Sequence, residues 1–260
     1  MATRATELGI EVLKSEDVNA EADRERIVAA GGTGGWASIC AFGQLIREPL
    51  LSELPMLNVH PSLLPKWRGA APIERAIMAG DRETGVCVMK LVAGLDSGPV
   101  ALKESTGIGP DEDFGELSSR LASIGGELLV RALGLASEGR LEWTDQDDSL
   151  ATYAEKVETS EREVDPSRPA VEGHDLVRAL TPHIGAWVQT GDRGRLGVSE
   201  TRVEDSIEVG PGEFLERDGR LLLGCRESTL ELLTVKPEGR AAMDAGSYLR
   251  GYGVPSAPGT

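Results

Sequence analysis

Aromatic residues make up only 4% of this 260-residue chain, which argues against an interface or a single-strand channel built from stacked rings. Cysteine is scarce too. Cys40, Cys87 and Cys225 lie far apart, with no CxxC pair and an odd count, so neither a disulfide framework nor a zinc knuckle is encoded. No stretch approaches the roughly 18 consecutive apolar residues of a membrane-spanning helix. The opening Met1-Ala2-Thr3-Arg4-Ala5-Thr6 lacks the apolar core of a secretory signal. These absences lead us to expect a cytoplasmic protein with no membrane partner and no metal. Positive charge is also in deficit, with 27 Lys and Arg against 43 Asp and Glu, a net charge of −16. A sequence-independent nucleic-acid binder needs the opposite balance, so a nucleic-acid partner would have to meet a local basic patch. What is plentiful is core material: 40% of residues are hydrophobic, which excludes wholesale disorder.

The first half alternates helical and strand signals, as α/β folds do. Residues 21 to 30 read as an amphipathic helix stopping at Gly31. Residues 37 to 42, 56 to 60 and 86 to 92 read as strands, and a helix is predicted from Pro72 to Gly80. Phe114, Leu117, Leu121, Ile124 and Leu128 recur at helical spacing, with a weak point at Gly125-Gly126. Residues 155 to 169 are charged and aperiodic and read as a linker. Beyond Trp187 the signals become β: strands at 203 to 209, 214 to 217, 220 to 225 and 229 to 235, with Asp218-Gly219 as a type I′ hairpin turn. Close spacing and Gly/Pro punctuation predict a small barrel. The cluster Gly31-Gly32-Thr33-Gly34-Gly35 follows a helix and precedes a strand, the reverse of a phosphate-binding loop.

Asn58 and His60 are two apart on a predicted strand, so their side chains leave the same face. Pro61 ends that strand, placing the face where open α/β sheets keep their ligand crevices. Asp96 follows a second strand at its exit. An amide, an imidazole and a carboxylate that converge on one cleft suit acyl transfer to an amine, with the oxyanion held by amide and imidazole. No Ser or Cys stands beside a base, so no covalent intermediate is indicated.

The residues around this trio extend the reading. The run Leu57-Asn58-Val59-His60-Pro61-Ser62-Leu63-Leu64-Pro65-Lys66-Trp67-Arg68-Gly69-Ala70-Ala71-Pro72-Ile73, with Gly94-Leu95-Asp96-Ser97-Gly98 downstream, closely resembles the 10-formyltetrahydrofolate-dependent formyltransferase family. Within that family it resembles the branch acting on methionyl-tRNA. Further matching stretches lie at 41 to 46, 151 to 156, 178 to 182 with Trp187, and 236 to 251, so the resemblance spans nearly the whole chain.

The resemblance implies an α/β fold, a Rossmann-like mostly parallel sheet, followed by a small C-terminal β-barrel of OB type. It implies a catalytic domain at residues 1–152, a linker at 153–169 and a tRNA-docking domain at 170–260. Asn58, His60 and Asp96 would be the catalytic trio. Ser62, Leu63, Leu64 and Pro65 would bind tetrahydrofolate, and Phe42, Gln44, Leu45 and Ile46 would wall the pterin pocket. Arg178, Lys236, Arg240 and Arg250 would be phosphate contacts of the tRNA. Arg68 serves the loop or the substrate, and His174 and His183 are surface or packing residues.

The implied reaction moves a formyl group from 10-formyltetrahydrofolate, a co-substrate, to the amino group of initiator methionyl-tRNA, with a monomer as the acting unit. The alternatives are transfer to a small amine, such as an amino sugar nucleotide or a glycinamide ribotide, or an inactive fragment that retains RNA or partner binding. Family members open with a strand, a Gly-containing turn, a helix and a second strand leading to a basic loop. Met1 aligns instead with the helix before Glu7–Leu13, so the expectation is a catalytic domain incomplete at its N-terminus and marginal in stability. Where the family has a continuous apolar strand, residues 31 to 38 include four glycines, the pattern a local reading-frame error or a misassigned start would leave.

Overall fold

The computed structural model describes residues 2–258. Helix α1 (Ala2–Glu7) precedes an extended segment, and α2 (Glu21–Gly31) follows. Gly32 closes α2 at φ +62°, its N–H returning to the Ala29 carbonyl. The glycine-rich turn then enters β1 (Ala37–Cys40), four residues long where six were expected. Helix α3 (Leu50–Glu53) leads into β2 (Met56–His60), matching the predicted bounds. Val18, Ile46, Leu50, Leu54 and Met56 form a small core of their own beneath this region.

The two-residue strand β3 (Arg68–Gly69) comes next, then α4 (Pro72–Met78), with Pro72 in its first turn. Strands β4 (Glu83–Lys90) and β5 (Val100–Gly107) form a long ladder, and β5 gave no signal in the sequence. The sheet order is β1-β2-β4-β5. Only β1 and β2 run parallel; β2–β4 and β4–β5 are antiparallel. The sheet is therefore mixed rather than mostly parallel. The reason lies in α4, which delivers the chain to β4 at the end of β2 where it left, so that β4 returns along its neighbour.

Helix α5 (Phe114–Ser137) begins at a capping box in which Asp113 accepts from the Glu116 N–H at 2.9 Å. It buries Leu117, Leu121, Gly125, Leu128 and Ala132. The helix passes through Gly125-Gly126 without a break. A Cβ at Gly125 would stand 2.8 Å from Val59 Cγ1, whereas one at Gly126 would meet nothing within 4 Å. Gly125 is thus a point of close approach between α5 and β2.

The connecting region holds β6 (Tyr153–Ala154), paired with β3, and Arg75 straps it down through the Glu155 carbonyl and the Glu161 carboxylate. The C-terminal part contains α6 (Ala170–Leu180), β7 (Ala186–Thr190), β8 (Gly194–Glu204), β9 (Phe214–Arg217), β10 (Arg220–Gly224), β11 (Thr229–Lys236), β12 (Met243–Asp244) and α7 (Ala245–Tyr252). The Asp218-Gly219 turn has φ +56° and +76°, as a type I′ hairpin requires. The predicted strand at 203 to 209 lies instead at 194 to 204. β8 pairs with both β7 and β11, so its length follows from two partners and not from its own polar sequence. The sheet runs β7-β8-β11-β10-β9 with β12 on β11, and among the described residues no ladder closes it into a barrel. Val177 and Leu180 of α6 and Tyr248 of α7 share one core with Leu221, Leu223, Leu230 and Leu232. These helices cover apolar residues that a closed barrel would bury alone.

Gly125→Val should lower stability by about 1–3 kcal/mol through overpacking against Val59. Gly126→Ala, in open helical backbone, should raise it by about 0.5–1 kcal/mol. Urea unfolding of the two variants checks both signs.

Candidate active site

β2 alternates its side chains, so Asn58 and His60 share one face, and both are buried. They open onto a cavity of about 840 Å³, well inside the range of small-molecule sites. Its walls come from residues 39 to 46, the end of β2, residues 91 to 96, and Phe114, Ser118 and Leu121 of α5. Asp96 arrives by a different route from the expected one. Because β4 is antiparallel to β2, its last residue Lys90 sits opposite Leu57. The loop from Leu91 must run back along β2 to bring Asp96 to His60. Asp96 takes φ +44° there, a left-handed conformation that non-glycine residues rarely adopt.

The carboxylate of Asp96 lies 3.7 Å from His60, Oδ2 to Nδ1. The same oxygen accepts the Gly69 N–H at 2.9 Å. The other ring nitrogen of His60, Nε2, donates to the Trp67 carbonyl at 2.9 Å. That carbonyl can only accept, so Nε2 carries a proton, and both ring nitrogens face oxygen acceptors. Asn58 is different. Its amide lines the cavity and has no hydrogen-bond partner among the described residues.

Segment 61–70 is held from several sides. The Trp67 indole N–H donates to Asp81 at 2.8 Å, and the Trp67 backbone N–H donates to the Thr152 hydroxyl at 2.9 Å. Gly69, at φ +124°, pairs with Ala154 so closely that a Cβ would stand 2.7 Å from the Ala154 carbonyl oxygen. Arg68 is buried and donates to Gln146 and Asp148. It is a loop residue and does not line the cavity.

Phe42, Gln44, Leu45 and Ile46 all line the cavity. The Gln44 amide is already engaged, accepting from the Val18 N–H and donating to the Ser15 carbonyl. Ser62, Leu63, Leu64 and Pro65, assigned to tetrahydrofolate by the resemblance, are not among the residues that line this cavity. The chain turns after His60, burying Ser62 and Leu64 and leaving Leu63 and Pro65 half-buried. The Ser62 hydroxyl donates to the Lys66 carbonyl, Leu63 packs on Gly85, Leu64 sits with Cys87, Met89 and Val100, and the Pro65 carbonyl accepts from Thr152. Burial pushes the Cys87 and Cys225 thiols up to about 11, the value of core residues. Cys40, by contrast, is exposed in the cavity wall.

Of the four basic candidates, Lys236, Arg240 and Arg250 are exposed and form no salt bridge among the described residues. Arg178 is not available to phosphate. It is buried, paired with Asp175 at 2.8 Å, and donates to the Glu112 carbonyl at 2.9 Å. Its place on the inward side of α6 makes it a clamp between the two halves of the chain. His174 and His183 also bridge them. His174 reaches the Pro110 carbonyl, and His183 stacks on Phe114 with ring centroids 3.7 Å apart and meets Glu74 at 3.0 Å. Sequence reasoning gave no site role to Trp67, Gly69, Gln146 or Thr152, although Trp67 and Gly69 lie in the matching run 57–73 and Thr152 in the match at 151–156.

The formyl transferase family model matches residues 10–133, and the formyl transferase C-terminal domain model matches residues 156–253. The chain belongs to the formyltransferase family. Among curated relatives, the methionyl-tRNA formyltransferase of Parvibaculum lavamentivorans is 40% identical over 254 residues, which covers 96% of this chain and 81% of that protein. The methionyl-tRNA formyltransferase of Methylobacterium sp. is 42% identical over 219 residues, 83% of this chain and 70% of that one. Among solved structures, HypX of Aquifex aeolicus superposes with a TM-score of 0.69 at 20% identity, over 97% of this chain but 45% of the longer HypX chain. An N-formyltransferase of Helicobacter canadensis, solved with folinic acid and dTDP-3-aminofucose, gives 0.68 at 14% identity, over 89% of this chain and 81% of that one. These two likenesses establish the shared fold.

Arg178→Ala leaves the Asp175 carboxylate buried without its partner and should cost about 3–5 kcal/mol. Equilibrium denaturation measures this directly; a change below about 1 kcal/mol would return Arg178 to the surface.

Proposed function

We propose that the protein transfers the formyl group of 10-formyltetrahydrofolate to the amino group of methionyl-tRNA, with Asn58, His60 and Asp96 carrying the chemistry. The observation that supports this most is the unpartnered Asn58 amide, set beside the His60–Asp96 pair in a mainly apolar cavity. An amide held free in such a site is a donor aimed at charge that develops only during reaction. The cavity suits the folate: Phe42, Leu45 and Ile46 offer apolar surface to a flat ring, and residues 91 to 95 line the same cavity.

In the reaction, the neutral amine nitrogen attacks the formyl carbon, and the carbonyl oxygen gains negative charge. Asn58 holds that oxyanion with its free amide and His60 with Nδ1, which stands 3.7 Å from Asp96 without a hydrogen bond to it. Asp96 orients His60 from 3.7 Å. As the intermediate collapses, the bond from carbon to N10 of the folate breaks, N10 takes up a proton, and the new amide nitrogen has lost one. The His60–Asp96 pair can pass these protons through water.

Residues 1–152 would form the catalytic domain, 153–169 the linker and 170–260 the tRNA-docking domain. The chain would act as a monomer in the cytoplasm; no helix among the described residues is long and apolar enough to cross a membrane. Lys236, Arg240 and Arg250 would meet tRNA phosphates, while Ser62–Pro65 would support the folate site from behind the cavity wall.

Asn58→Ala and His60→Ala should each lower kcat by roughly 10²–10³, the loss expected for one oxyanion donor. Asp96→Asn should cost at least as much. Formyl-transfer assays on methionyl-tRNA, run beside an amino sugar nucleotide, check both the residues and the acceptor; wild-type turnover in all three variants would remove the assignment. Charge reversal at Lys236 or Arg240 should weaken binding to every tRNA alike and flatten its salt dependence. Filter-binding titrations at several salt concentrations read both effects.

A further inference from the structure

Asp96 holds an unfavourable backbone conformation at the tip of a loop, and its carboxylate position decides the His60 contact. The structure shows what keeps it there. The Gln146 side-chain amide donates to two backbone carbonyls of that loop, Asp96 at 2.8 Å and Gly98 at 2.7 Å. Its Oε1 accepts two bonds from buried Arg68, from Nε at 3.1 Å and Nη2 at 2.9 Å. The orientation of this amide is unambiguous, because carbonyls can only accept and a guanidinium can only donate. Gln146 therefore has both donors and its acceptor oxygen fully used, and none of them faces the cavity. Arg68 precedes Gly69, whose N–H holds the Asp96 carboxylate. The backbone of Asp96 is thus held by Gln146 and its side chain by Gly69, and Arg68 fixes the two holders relative to each other.

We infer that Gln146 is a positioning residue for formyl transfer, acting with Arg68 to set the Asp96 carboxylate against His60. This rests on the function proposed above. Glutamine is the side chain the position demands: glutamate would set a carboxylate oxygen against two carbonyls, and asparagine is one methylene too short to span from Arg68 to the loop. Misplacement of a reacting group by about 1 Å costs up to about 100-fold in rate.

The test uses the full chain and compares wild type, Gln146→Glu, Gln146→Met and the neighbouring surface control Asp145→Asn. Gln146→Glu keeps the Arg68 contact and so should unfold within a few degrees of wild type. Both Gln146 variants should lose about 10- to 100-fold in kcat on methionyl-tRNA, with KM for the tRNA unchanged, and Asp145→Asn should match wild type. The second readout does not need activity. The chain has three histidines, so histidine-labelled NMR resolves them, and the His60 ring signals should shift in Gln146→Glu while those of His174 and His183 stay. Full kcat in either Gln146 variant, a lowered kcat with unmoved His60 signals, or collapse of the fold in both variants overturns the inference. If wild type transfers no formyl group, the functional reading fails, and the His60 signals alone decide whether Gln146 positions Asp96.

Discussion

The close approach of Gly69 to Ala154 is the constraint from which the site is built. Two rungs of parallel pairing, Arg68 with Tyr153 and Gly69 with Ala154, join the loop after β2 to the segment that connects the two halves of the chain. A side chain at position 69 would collide with the Ala154 carbonyl, and its φ of +124° suits glycine alone. With that approach in place, the Gly69 N–H reaches Asp96, the Trp67 carbonyl reaches His60, and buried Arg68 turns inward to Gln146. Remove the pairing and each of these contacts loses its geometry together.

The same segment links chemistry to architecture. Arg75, on the helix that follows the loop, binds the connecting region through Glu155 and Glu161. A few residues further, α6 docks on the catalytic half through Arg178, and His183 stacks on Phe114, which itself lines the cavity. The C-terminal half is therefore no free appendage. Its position is tied to the region of the pocket wall by the Arg178 hydrogen bonds to the Gly109 and Glu112 carbonyls, a ring stack and the His183–Glu74 contact. A polynucleotide bound to it would be presented to a cavity of defined orientation.

Local sequence features were legible where local physics governs them. β2, the start of α4 at Pro72, the end of α2 within its glycines (capped at Gly32, one residue past the expected stop at Gly31) and the Asp218-Gly219 hairpin all follow from side-chain alternation, fixed proline φ or positive-φ glycine, each a property of a few neighbouring residues. β5 was not legible, because Lys103, Glu104 and Ser105 are polar and exposed and are a strand only through the ladder with β4. β8 was misplaced for the same reason. Gly125 looked like a breach in α5, because helix propensity penalises glycine; the close contact with Val59 that rewards it belongs to another element.

For the site, the division is similar. The sequence by itself determined that Asn58 and His60 share a face, since strand geometry forces residues two apart to the same side, and its resemblance pointed to Asp96 as the third member. Only the tertiary structure decided how Asp96 reaches them, because the antiparallel course of β4 sends its exit the wrong way and a loop must return. It also decided that Arg178 is interior and that Ser62–Pro65 turn from the cavity. Charge and hydropathy along a chain do not reveal which side of a helix meets another domain, or which side of a turn meets solvent. Those outcomes depend on contacts between residues many positions apart, and Gln146, 50 residues from the carbonyl it holds, belongs to the same class.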